Sequence, residues 1–130
     1  MSDTYPATGL DTDRAVLAVA RMVTPNVWIE RPSGFATMTP CIVLTPLAGR
    51  GSGHGLHEDV DYTAECWATS RAEARRLAND LRGAIRAAWL VPPLRLHSAR
   101  TRNLPAPQVT GVDGLWRFDL DFSAVTRLAA

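Results

Sequence analysis

Residues 58–90 constrain the fold more than any other part of the chain, because they predict a strand that leads directly into a long helix. Apolar and polar side chains alternate from Val60 to Ala68, the pattern of a strand with one buried face. Ser70 is followed three residues later by Glu73, the capping-box spacing that begins a helix. Apolar residues then recur at three and four positions until Pro92-Pro93, where the helix is expected to end. Such a helix must fold back onto the sheet that contains the strand.

Two elements are predicted near the start of the chain. Thr12 or Asp11 can cap a first helix, whose apolar stripe continues until the Thr24-Pro25 pair is expected to end it. A short strand follows at residues 26–30. The first helix is therefore expected to join the second one on the same face of the sheet.

Three further strands complete the predicted order α-β-β-β-α-β-β. The apolar run from Cys41 to Leu47 predicts a buried strand, in which Pro46 marks a sheet edge or the point where the strand leaves the ladder. An arginine-rich strand is predicted at residues 94–102 and a cleanly alternating one at 115–125, with Trp116 on its apolar face. The predicted fold class is α+β: a two-layer sandwich with a mixed or antiparallel sheet of about four to five strands and two helices on one face.

The chain of 130 residues and 14.1 kDa predicts a flexible arm at residues 1–10 and one domain at 11–130. Two connections are longer than a hairpin turn needs: residues 48–57, which contain four glycines, and residues 103–114. Neither a signal-peptide pattern nor an apolar run of membrane-spanning length is visible, so synthesis in a cytoplasm is expected.

All 14 basic residues are arginine, and four of them share one flank of the second predicted helix. Their spacings of four, seven and four place them in one stripe beside the apolar face. This stripe consists of Arg71, Arg75, Arg82 and Arg86. It can be a solvated flank with partners such as Asp80 and Glu73, or a contact surface for an acidic partner. The formal net charge of +1 disfavours a dedicated DNA-binding protein.

Acidic residues are predicted on the outer face of the sheet, opposite the helices. They are Asp61, Glu65, Asp119 and Asp121. Asp119 and Asp121 are two residues apart on one strand and therefore share a face, for which a solvated polar surface is a sufficient explanation. An arginine flank and an acidic face on one small domain suit a ring in which unlike surfaces meet head to tail.

The chain contains residue types that occur in metal, phosphate-binding and catalytic sites, but not at the spacings that such sites require. Cys41, His54, His57 and Cys66 could ligate zinc, but neither cysteine has a second ligand at the usual two to four residues. The glycine-rich stretch at 49–55 lacks the lysine of a phosphate-binding loop and leads into a strand instead of a helix. No nucleophile elbow or acid–base pair is recognisable. The sequence therefore predicts no metal, no cofactor, no catalytic residue and no enzymatic activity.

The strand-helix segment YTAECWATSRAEARRLANDLRGAI, at residues 62–85, resembles the corresponding segment of tail terminator proteins of long-tailed bacteriophages, particularly those of actinobacteria. In that family a small or aromatic residue closes the strand, and a residue like Ser70 caps an alanine- and arginine-rich helix. The final strand, WRFDLDFSAVTR, is similar to the last strand of the family. The resemblance extends over roughly residues 12–127.

The resemblance implies a structural virion protein at the head-proximal end of the tail, assembled in the host cytoplasm. Six copies would form a ring that caps the tail tube, stops its polymerisation and meets the head connector. Neighbour contacts are expected on the two long connections, in addition to the arginine stripe. The residues singled out there are Arg50, His54, His57, Asn103 and Gln108. The acidic face would line the lumen, through which DNA passes without sticking because like charges repel.

Other readings of the sequence remain open. A neck or head–tail connector protein, or a minor tail protein of similar fold, would show the same pattern. A small cytoplasmic enzyme or ligand-binding domain is a reading of a different class, which a deep pocket with a perturbed titratable residue would favour. A DNA-binding module that uses the arginine helix is a third, which salt-sensitive duplex binding would support.

Overall fold

The computed structural model describes residues 12–51, 57–88, 96–101 and 103–127. Two helices and six strands lie along this part of the chain. In chain order they are α1 (Thr12–Ala20), β1 (Val27–Trp28), β2 (Cys41–Gly51), β3 (His57–Ala68), α2 (Arg71–Ala87), β4 (Leu96–Thr101), β5 (Ala106–Gln108) and β6 (Trp116–Arg127), with a short 3-10 helix at Phe35–Met38 before β2. The predicted α+β class is confirmed. The predicted arm at residues 1–10 and the Pro92-Pro93 pair lie outside the described residues.

One sheet contains all six strands in the order β1-β2-β3-β6-β4, with β5 also paired to β6. β1 is parallel to β2, and the other neighbouring pairs are antiparallel. Since β3 and β4 are both antiparallel to β6, they are parallel to each other, and α2 makes the crossover between them. Both helices therefore lie on one face of the sheet, where they share a single apolar core.

The core is built by the alternation that the sequence shows. Val60, Tyr62, Ala64, Cys66 and Ala68 of β3 are all buried against the helices. Tyr62 stacks on Phe122 of β6 with the ring centroids 5.3 Å apart. Each such aromatic ring, once buried, stabilises the fold by roughly 1.5–3 kcal/mol.

The helix termini are fixed in two different ways. The Ser70 hydroxyl accepts the Glu73 backbone N–H at 3.1 Å, as the capping-box spacing predicts. α1 begins at Thr12, so Thr12 is its first residue and not its cap, and the alternative cap Asp11 lies outside the described residues. The Glu58 carboxylate of β3 accepts from the Thr12 backbone N–H at 3.2 Å. The Thr12 hydroxyl also donates to Glu58 and lies 2.8 Å from the Thr126 hydroxyl. This buried polar network ties the beginning of α1 to the sheet.

Three predictions about local structure were wrong. The connection predicted at residues 48–57 is shorter, because β2 continues to Gly51 and pairs with β3 as far as Glu58. The connection predicted at residues 103–114 contains β5, which pairs with β6. Trp116 is 43% exposed instead of lying in the core. It lies beyond the helical layer, because the first residue of α2 is already above Phe118.

Pro46 is paired with Tyr62 and stays in the ladder. β1 covers β2 only at Ile42 and Val43, so Pro46 lies on a sheet edge, which is one of the two predicted alternatives. A bulge follows between Pro46 and Ala48.

Candidate interaction surfaces

The arginine flank of α2 consists of Arg71, Arg75, Arg82 and Arg86, as the spacing predicts. Arg71, Arg75 and Arg86 are exposed, and Arg82 is half-buried. Within the described residues none of the four forms an ion pair, so Glu73 and Asp80 are not their partners. Both acids project from another side of the helix.

The flank faces one particular side of the domain. The Arg71 guanidinium lies 5.5 Å from the centroid of the Phe118 ring in β6. Phe118 is paired with Pro107 of β5, so the arginines face the β5 side of the sheet and not the β1 side. A shallow open depression lies on the same part of the helix, lined by Arg71, Ala72, Arg75, Arg76 and Asn79.

The flank has an electrostatic cost within the isolated chain. Arg71 and Arg75 are four residues apart, as are Arg82 and Arg86, and each like-charge pair destabilises a helix by about 0.2–0.5 kcal/mol. An acidic partner would remove this repulsion, since guanidinium groups make paired hydrogen bonds to carboxylates. The geometry therefore suits a contact with an acidic surface.

The acidic outer face is also where the sequence predicts it, but its carboxylates are held by neighbouring side chains. Ser123 donates to Asp61 at 2.6 Å, and Thr63 donates to Asp121 at 2.7 Å across the β3–β6 ladder. Asp119 accepts two hydrogen bonds from Arg117 at 2.7 and 2.8 Å. These cross-strand and same-strand pairs stabilise the sheet on the side without helices.

Two arginines partly neutralise this face, and sequence reasoning did not find them. Glu65 lies 2.7 Å from Arg31 and 3.5 Å from Arg117. The hydrogen bond to Asp119, together with the charges of Asp119 and Glu65, raises the pKa of Arg117. Among the side chains that the structure describes, these four carboxylates therefore share the outer face with the two guanidinium groups of Arg31 and Arg117.

Arg31 also fixes the segment before β2 onto the outer face. Its guanidinium lies 4.9 Å from the Phe35 ring and 5.3 Å from the Trp67 ring, and the two rings meet edge to face at 4.9 Å. Trp67 donates to Glu65 at 3.0 Å and is buried. Alternation places Trp67 on a polar face, and it is buried there by long-range packing in a cluster with Cys41, Val43, Trp28, Phe35 and Leu115.

The residues predicted on the two connections have different outcomes. Asn103 is exposed but bound to β6: its amide donates to Asp121 at 3.1 Å and its oxygen accepts the Asp121 backbone N–H at 3.0 Å. Gln108 is exposed on β5. Arg50 and His57 are strand residues, paired with Asp59 and Arg127 respectively. The side chains of Arg50 and His57 lie outside the described part of the chain. His54 lies outside the described residues.

The two cysteines are separated by the sheet. Cys41 packs with Val43 and Trp67 on the outer face, whereas Cys66 belongs to the core beneath the helices. Burial raises the pKa of Cys41 to about 11 and raises the pKa of Cys66 as well. Within the described ranges no group of histidine, cysteine or acidic residues has the arrangement of a metal site. In the same ranges no helix is long and apolar enough to cross a membrane.

Comparison with known proteins gives a family and a fold. The family model described as "Tail completion protein gp17" matches residues 9–127. A chain of the solved structure described as "Virion of native gene transfer agent (GTA) particle" is similar, with a TM-score of 0.58 and 18% sequence identity over 95% of this chain and 99% of that chain. At this identity the likeness shows the fold. No curated protein matches the sequence.

Proposed function

Because this chain belongs to the tail completion protein gp17 family, we propose that it is the terminator of a phage-type tail. The family makes it a structural protein of a phage-type virion and not an enzyme, and this part of the sequence-based prediction is confirmed. In such a virion it must meet other tail or head proteins.

In the proposed assembly, six copies form a ring at the head-proximal end of the tail. One side of the ring matches the growing end of the tail tube and the other side does not reproduce that surface, so polymerisation stops. The second side is then free to meet the head connector, after assembly in the host cytoplasm. The observation that carries this proposal is the family match over residues 9–127, which includes every helix and strand that the structure describes.

The arginine flank is the proposed contact with an acidic partner within this assembly. It has four guanidinium groups without ion pairs in the described part of the chain, and it lies on a rigid helix rather than on a loop. Gln108 is exposed on the same side of the sheet and is a second proposed contact. The proposed contacts of Arg50, His54 and His57 depend on side chains outside the description. For Asn103, the two hydrogen bonds to Asp121 favour a role in shaping the connection.

The acidic outer face is proposed to line the lumen. Among the described side chains of this face, Asp61, Glu65, Asp119 and Asp121 outnumber Arg31 and Arg117, and in the proposal they repel the phosphates of DNA in passage. Their hydrogen bonds to neighbouring residues keep the carboxylates close to the sheet, where they would present a smooth surface.

The proposal is tested by deleting the gene in the strain that produces the particles and imaging the particles by electron microscopy. The expected result is full heads separated from tails of unregulated length, and normal particles on complementation with the wild-type gene. Joined particles with tails of normal length after deletion would contradict the proposed function.

A further inference from the structure

The shallow depression on the solvent side of α2 combines three arginines with an alanine and an asparagine. Its lining residues, all of them exposed, are Arg71, Ala72, Arg75, Arg76 and Asn79. We name it the α2 depression. Within the described residues its three guanidinium groups form no ion pair. The depression is therefore a concentration of positive charge that the described part of the chain does not compensate.

Helical geometry gives the α2 depression a floor and two sides. Ala72 and Asn79 are seven residues apart, so they lie on one line along the helix, about 10 Å from each other. Arg75 and Arg76 project on opposite sides of this line, each about 50° away from it around the helix axis. Arg71 lies one turn before Arg75 on the same side. A segment that lies over Ala72 and Asn79 thus has guanidinium groups on both sides.

The floor of the depression suits the main chain of an extended peptide. Ala72 carries only a methyl group, so another backbone can approach the helix closely there. The Asn79 amide makes no hydrogen bond to the described residues, and it can donate to a peptide carbonyl and accept from a peptide N–H. In an extended peptide, successive side chains point to opposite sides. Two neighbouring acidic residues would therefore reach Arg75 and Arg76, and guanidinium groups make paired hydrogen bonds to carboxylates.

The surroundings of the depression favour carboxylates over the phosphates of a nucleic acid. Glu73 and Asp80 lie beyond Arg76 on the same helix, and neither is paired with it. A nucleic acid carries a negative charge at every nucleotide and would meet these two acids, whereas a short peptide carries charge only where it has acidic side chains. The lining residues also include no aromatic ring on which a base could stack.

A second copy of this chain is a poor source of such a segment. Among the described residues, the acids in closest succession are Glu58, Asp59 and Asp61 of β3. That strand is paired on both sides, with β2 and with β6. Glu58 also accepts from Thr12, and Asp61 accepts from Ser123. These acids are therefore held in the sheet, and the occupant must come from a different protein.

We infer that the α2 depression binds an extended acidic peptide segment of another protein of the particle, with one carboxylate on Arg75 and the next on Arg76. This inference rests on the proposed contact of α2 with an acidic partner and identifies the chemical class of that partner. Binding would also relieve the repulsion between Arg71 and Arg75, which are four residues apart on the helix. The charge, the small floor and the free amide of Asn79 all fit this one occupant.

Binding of a fluorescein-labelled hexaglutamate peptide to the purified full-length chain, measured by fluorescence anisotropy at low ionic strength, tests the inference. The test variants are Arg75→Glu and Arg76→Glu, one on each side of the depression. The control is Arg86→Glu, which lies on the same helix outside the depression and changes the net charge by the same amount. All three side chains are exposed, so the fold should be kept, which chemical denaturation checks. A thymidine hexanucleotide is titrated in parallel.

Wild type and R86E should bind hexaglutamate with nearly the same affinity, whereas R75E and R76E should each weaken binding by about tenfold or more. The hexanucleotide should bind more weakly than the peptide. Absence of peptide binding by wild type would overturn the inference, as would an equal loss in R86E. A hexanucleotide that binds at least as tightly and loses affinity in R75E and R76E would overturn it in favour of a nucleic-acid site. Imaging of the gene deletion judges the proposed function separately, because it does not depend on this peptide.

Discussion

The two faces of the sheet are stabilised by different physical means. The inner face is apolar and is sealed by α1 and α2, with Tyr62, Leu120 and Phe122 fully buried. In the described residues no α-helix covers the outer face, where ion pairs such as those of Arg117 with Asp119 and of Arg31 with Glu65 accompany a small apolar cluster around Trp67. Most of the stability therefore comes from the inner face, which leaves the other face and the edges of the sheet available for contacts with partners. Substitutions on the two faces should differ accordingly.

The largest effect is expected for Phe122→Ala on the inner face. The ring is fully buried and stacked on Tyr62, so its removal leaves a cavity beneath the helices. We expect the free energy of unfolding to fall by about 3–5 kcal/mol, measured by chemical denaturation. A loss below about 1 kcal/mol would mean that the inner face is not the main source of stability.

A large effect of pH is expected from the buried thiols. In the folded state the pKa of Cys41 is about 11, above the ordinary value of 9.0, so the unfolded chain loses its proton first as pH rises. The contribution of such a thiol to the free energy of unfolding is fully present below pH 9. It should be lost between pH 9 and about 11, by about 1.4 kcal/mol per pH unit for each such thiol. Chemical denaturation at several pH values across this range tests the prediction. Cys41→Ala should make the free energy of unfolding depend less steeply on pH.

A smaller loss is expected for Glu58→Ala, which removes the acceptor of the Thr12 backbone N–H and hydroxyl. Leaving these groups unpaired should cost about 1–3 kcal/mol. Glu58→Gln keeps an oxygen acceptor and should lose less. If both variants lose the same amount, the carboxylate does not act through these hydrogen bonds. Chemical denaturation of the two variants decides between these results.

On the outer face, Arg31→Met should cost only about 0.5–1 kcal/mol, because the side chain is 43% exposed and both its ion pair and its ring contacts are partly solvated. The difference from wild type should shrink as salt is added, since salt screens the pair with Glu65. A loss as large as that of Phe122→Ala would remove the contrast between the two faces.

The smallest effect on stability, below about 0.5 kcal/mol, is expected for two exposed arginines of α2. Arg86→Glu changes the arginine flank, whereas Arg76→Glu is the matched control on the same helix outside the stripe. Both should unfold like wild type, but only R86E should weaken self-association, by tenfold or more in sedimentation. Equal association of the two variants would exclude the flank as a contact between copies of this chain.

The sequence was sufficient where local and tertiary signals agree. From Val60 to Ala87, the alternation, the capping box and the helical period all point to one structure, and the strand and helix lie where predicted. Gly49 and Gly51 gave the opposite signal, because glycine is rare in strands, yet pairing with Val60 and Glu58 extends β2 through them.

The candidate contacts were predictable only in part. The arginine flank and the acidic face follow from spacing along single elements. The pairing of Glu65 with Arg31 and Arg117 and the hydrogen bonds of Asn103 to Asp121 depend on residues far apart in the chain. No local pattern marks them, so they required the structure.

The mass of the purified chain in solution, measured by light scattering over a concentration series, tests ring formation most directly. If the ring forms, the mass rises with concentration from the 14.1 kDa of one chain to a plateau at six chains. A mass that remains at one chain up to the highest concentration, or a plateau at two chains, would contradict it.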